Sequence, residues 1–81
     1  MIAERGIPQV VAVLSLLKTG KWYTLQGLKD SCFVVFAVGV SEAGVSARLR
    51  DLRKEKYGGH TIERRPTRRP GIFEYRLGEE S

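Results

Sequence analysis

Eighty-one residues with a net charge of +5 leave room for a single domain, 1–81, and little for an enclosed catalytic cleft. A hydrophobic share of 42% and a charged share of 28% exclude a disordered chain. A single cysteine, Cys32, excludes an intrachain disulfide and a cysteine-rich zinc site.

Charge is unevenly spread along the chain. From Met1 to Val45, four Lys/Arg face three acids, a net of +1; from Ser46 to Arg76, ten face four, a net of +6. A positive field confined to one half suits a polyanion partner; the alternative is a solvated basic surface. The start, Met1-Ile2-Ala3-Glu4-Arg5, is not expected to act as a signal peptide. The longest apolar run, Cys32–Val38, is far below the ~20 residues that cross a bilayer. A cytoplasmic protein without membrane contact is expected, with Cys32 a buried, inert thiol.

In chain order, Pro8 suits the first turn of a helix that carries Val10, Val13, Leu14 and Leu17 at helical spacing and stops before Gly20. Lys21-Trp22-Tyr23 reads as a short strand, and Thr24 as the N-cap of a second helix reaching about Ser31. The apolar stretch Cys32–Val40 fits either a continuation of that helix or an irregular link, because periodicity does not decide a short continuous apolar run. Ser41 caps a third helix with Glu42 in its first turn. On it, Val45, Leu49 and Leu52 share one face, and Ala43, Ala47, Arg50 and Lys54 lie opposite. Tyr57-Gly58-Gly59 breaks this helix. His60–Arg65 and Ile72–Leu77 then read as two strands, with Phe73, Tyr75 and Leu77 on one face. Pro66–Gly71 forms the turn between them, and 77–81 a frayed tail.

Three helices followed by a C-terminal β-hairpin give an α+β winged helix-turn-helix, with the third helix in a major groove and the hairpin wing against the neighbouring backbone or minor groove. The runs Val45–Lys54, Tyr57–Arg65 and Gly71–Leu77, with Trp22-Tyr23-Thr24-Leu25, resemble small helix-turn-helix proteins of phages and prophages. That resemblance covers about two thirds of the chain. It implies a winged helix and a DNA-binding role, with Ser46, Ala47 and Arg50 on the recognition helix. Such proteins join the second and third helices by a short turn, whereas Ser31–Val40 reads as longer and more apolar.

The expected function is sequence-dependent binding of double-stranded DNA by a phage or prophage transcription regulator or accessory factor. The alternative is a protein-binding winged helix, such as an anti-defence inhibitor of a host nucleic-acid-binding protein. The candidate DNA-binding residues are Ser46, Ala47, Arg48, Arg50 and Lys54 on the third helix and Arg64, Arg65, Arg68 and Arg69 on the wing. Arg48 lies nearer the core-facing edge, where it reaches a phosphate or pairs with Asp51 or Glu42. Four guanidiniums on one hairpin repel one another unless a polyanion relieves them. Phe33 and Phe36 are candidate contacts of a homodimer, or else fill the space between the second helix and the hairpin. No enzyme activity, cofactor or metal is expected: His60 stands alone, and Gly58-Gly59 lacks the following Lys-Ser/Thr of a phosphate loop.

Overall fold

The computed structural model describes residues 7–78. Its helices are α1 (Gln9–Leu17), α2 (Leu25–Phe36) and α3 (Glu42–Leu52). Its strands are β1 (Tyr23–Thr24), β2 (Ile62–Pro66) and β3 (Phe73–Leu77), paired antiparallel in the order β1-β3-β2. Helices packed on one another and finished by a C-terminal hairpin make the α+β winged helix-turn-helix expected from the pattern. No helix among the described residues is long and apolar enough to cross a membrane.

Each helix starts where local chemistry allows it. Pro8 stands just before α1 rather than inside it; its backbone is extended, and its carbonyl accepts from Val11 and Ala12 at 3.0 and 3.1 Å. Thr24 Oγ1 accepts from the Gly27 N–H at 2.9 Å, and Ser41 Oγ from the Gly44 N–H at 3.0 Å. Each cap satisfies one donor that the first turn leaves free. Gly44 sits close to the preceding turn, since a Cβ there would lie 2.8 Å from Val40 Cγ2 and that side chain would have to shift.

The core sits among the three helices. Ala12, Val13, Leu16 and Leu17 of α1, Leu28 and Cys32 of α2, and Val45, Leu49 and Leu52 of α3 are all buried. Leu17, Leu28 and Leu52 are nearly or wholly inaccessible, and burying each contributes about 1.5–3 kcal/mol. Ile62 is the only buried hydrophobic residue of the hairpin strands, so stability resides in the helices. The wing is tied to them through Ile62, the partly buried Tyr75 and Leu77, and β1.

Helix α2 absorbs most of the apolar stretch that the sequence leaves open. It runs to Phe36 and ends where Ala37 turns into the left-handed region at φ 57°. The Val38 N–H then closes onto the Cys32 carbonyl at 3.0 Å, and Val38 drops into the core. Only residues 37–41 remain between α2 and α3, so the connection is a short turn after all. Burial of Cys32 raises the pKa of its thiol, because desolvation disfavours the thiolate.

Several boundaries shift from expectation: β1 is Tyr23–Thr24 rather than Lys21–Tyr23, β3 starts one residue later, at Phe73, and three others have a traceable cause. Helix α3 ends at Leu52, and Lys54, expected on its outer face, is extended backbone beyond the cap residue Arg53. Strand β2 begins at Ile62 rather than His60, because the His60 N–H is used by the Leu52 carbonyl at 2.8 Å. Leu77 is not frayed: it pairs with Ile62 in the sheet, and the Gly78 N–H extends the ladder to the Thr61 carbonyl at 2.7 Å. Glu79, Glu80 and Ser81, also assigned to the tail, lie outside the described residues, as does the Met1–Arg5 start.

Candidate nucleic-acid interface

A helix-turn-helix presents its third helix usefully only if the turn before it is held. Here Gln9, at the start of α1, does the holding. Its Nε2 donates to the Gly39 carbonyl in the turn at 3.0 Å, and its Oε1 accepts from Arg48 Nη1 of α3 at 3.2 Å. One amide thus ties α1, the turn and α3 together. No sequence motif marks Gln9; it is found only when the three elements meet.

The candidate residues of α3 separate into two groups. Ser46 and Ala47 are half-buried, and Arg50 is exposed, its guanidinium without a hydrogen-bond or ion-pair partner among the described residues. At 100° per residue Ala47 and Arg50 lie with Ala43 on the side away from Val45, Leu49 and Leu52, with Ser46 on its flank. Arg48 is turned the other way, with its Nε 2.9 Å from Asp51 Oδ2 in addition to the bond to Gln9. Lys54 Nζ lies 3.4 Å from Asp51 Oδ1. Asp51 therefore neutralises cations on the flank and leaves Arg50 as the free cation of the outer face.

The wing arginines divide in the same manner. Arg69-Pro70-Gly71-Ile72 forms a tight turn closed by the Ile72 N–H on the Arg69 carbonyl at 3.1 Å. Pro at the second position and Gly71 at φ 80° at the third are what a type II turn requires. Thr67 Oγ1 donates to the Ile72 carbonyl at 2.9 Å and accepts from the Arg69 N–H at 3.1 Å, which fastens the tip internally. Arg68 and Arg69 project from this tip, both exposed, their guanidiniums without a hydrogen-bond or ion-pair partner among the described residues. Arg64 lies over the Phe73 ring, 4.6 Å from its centroid.

Arg65 belongs elsewhere. Strand pairing puts Glu63 opposite Arg76 and Arg65 opposite Glu74, on the sheet face away from Ile62. Arg65 Nε bonds Glu74 Oε1 at 2.9 Å, and Arg76 Nη2 bonds Glu63 Oε1 at 2.6 Å. Both guanidiniums also stack on Trp22, at 4.1 and 4.5 Å from its ring. This face is electrically neutral in sum, and cross-strand pairs of this kind stabilise a sheet. The repulsion expected among the wing arginines is thus relieved within the protein for Arg65.

Between the wing tip and the starts of α2 and α3 lies an open groove lined by Gln26, Glu42, Arg65, Arg68, Arg69 and Phe73, among others. On the far end of α2, Phe33, Val34 and Val35 are exposed at 66%, 79% and 59%. Phe36 packs partly against the core. The two phenylalanines proposed as dimer contacts are therefore not equivalent: Phe33 is open to solvent and Phe36 is partly buried against the core. The chain matches no protein-family model, no curated protein and no solved structure.

Proposed function

We propose that this winged helix binds double-stranded DNA, with the outer face of α3 in the major groove and the wing tip on the adjacent backbone. The observation that supports this best is the set of exposed guanidiniums that no acid, carbonyl or ring holds among the described residues: Arg50 on α3 and Arg68 and Arg69 on the wing. In a chain where Asp51, Glu63 and Glu74 each hold cations, these three stay available for phosphates and base edges. Arg64, exposed and stacked on Phe73, adds a fourth contact. The setting implied by the sequence resemblance is a phage or prophage regulator in a bacterial cytoplasm.

Titration of a labelled random duplex at several salt concentrations tests this. Three phosphate contacts, from Arg64, Arg68 and Arg69, give a slope of log affinity against log salt of about −2 to −3, since each contact contributes about −0.9. The double variant Arg68→Ala/Arg69→Ala is expected to lower that slope by about 2 and to weaken binding to all duplexes alike. Binding that is absent, or indifferent to salt, overturns the proposal.

A second reading, a protein-binding module, is favoured by one observation, the exposed Phe33-Val34-Val35 run. An anti-defence inhibitor acting on a host protein and a homodimeric regulator both belong here. Under the inhibitor reading the random duplex is not bound, and Phe33→Ser abolishes the inhibition.

A further inference from the structure

Glu42 is a carboxylate without a use in this interface. It is exposed in the first turn of α3 and lines the same groove as Arg68 and Arg69, yet it makes no ion pair among the described residues. Along the helix it heads a stripe. Glu42, Ser46 and Arg50 are spaced by four residues, each step turning only about 40° and advancing about 6 Å. Ala43 and Ala47 flank the stripe and keep its side low. An acid at one end and a free guanidinium at the other thus lie about 12 Å apart along α3 and about 80° apart around it, with Glu42 on the flank of the outward face.

Phosphates repel a carboxylate, so Glu42 lowers affinity for any duplex that offers it no donor. In the major groove the exocyclic amino group of cytosine is the donor that acidic side chains accept from, while Arg pairs with guanine O6 and N7. We infer that Glu42 is a specificity-determining residue: it accepts from a cytosine amino group about three to four base-pair steps from the guanine read by Arg50. Ser46, between them, is short enough to tolerate either base. The inference rests on the proposed placement of α3 in the major groove. The other role open to Glu42 is to complement the N-terminal end of the helix dipole, which affects stability and not base preference.

Selection from a randomised duplex pool separates the two, with wild type, Glu42→Ala, Glu42→Gln and Arg50→Ala compared at one salt concentration and each shown folded by its melting curve. Wild type is expected to enrich a cytosine and a guanine at that spacing. Glu42→Ala is expected to lose the cytosine preference alone, by about tenfold, and to bind random duplex a few-fold more tightly. Glu42→Gln is expected to shift that position toward adenine, whose N6 and N7 match a side-chain amide. Arg50→Ala is expected to lose the guanine alone. If wild type binds duplex and both Glu42 variants keep its full preference, the role of Glu42 is overturned and DNA binding stands. If wild type binds no duplex, both fall together.

Discussion

Arg65 and Arg76, on the outer face of the sheet, sit between the Trp22 ring and two glutamates, whereas Arg68 and Arg69, a few residues along the same hairpin, have neither. The first pair acts within the protein, joining β2 to β3 and both to the segment that leads into β1. The second pair stands on a turn fastened by Thr67 and Gly71 and faces solvent. Equal formal charge thus produces different chemistry: a cation already paired and stacked has little left to offer a phosphate. A count of basic residues overstates the electrostatic footprint of this wing, and the register of the hairpin corrects it.

The largest expected effect comes from removing the ring that organises the paired face. Trp22→Ala should cost about 2–3 kcal/mol of stability, below the 3–5 of a fully buried aromatic because Trp22 is only partly buried. Urea unfolding measures that loss. The salt slope of DNA binding, taken where the variant is still folded, should not move. A slope that falls would mean the outer face also contacts DNA.

Gly71→Ala probes the other region without changing charge. An added Cβ meets nothing within 4 Å, so the cost is that of holding alanine at φ 80°. Left-handed backbone costs a non-glycine residue about 1–2 kcal/mol, partly offset by a less flexible unfolded chain, leaving about 1 kcal/mol. Denaturant midpoints read the stability. DNA affinity should weaken although every arginine remains, because the tip presenting Arg68 and Arg69 is reshaped. Unchanged affinity would show that charge alone matters at the tip.

Glu74→Gln is the smallest change and the sharpest test of the comparison. An exposed ion pair is worth about 0–1 kcal/mol, so stability should shift by no more than about 0.5. Arg65 loses its neutralising partner and becomes more like the tip arginines. Binding to random duplex should then tighten a few-fold and the salt slope steepen by up to about 0.9. If neither changes, the stack on Trp22 alone is enough to keep Arg65 from DNA.

The residue pattern alone determined much of this protein. Caps at Thr24 and Ser41, the Val45-Leu49-Leu52 stripe, and the alternation of Phe73, Tyr75 and Leu77 around a Pro-Gly turn are local signals. They are enough for three helices and a hairpin because each depends on neighbours within about four residues. The concentration of basic residues after Ser46 was legible in the same manner. Tertiary contacts decided the remainder. The continuation of α2 to Phe36 turned on Val38 finding a place in the core, which no local period records. The end of α3 at Leu52 was set by His60 taking its carbonyl, and the ordering of Leu77 by Ile62 opposite it. The availability of each arginine was decided the same way. Arg48 meets Gln9, 39 residues away, and Arg65 meets Glu74, nine away, so which cations remain free depends on partners that only the folded chain brings within hydrogen-bonding distance.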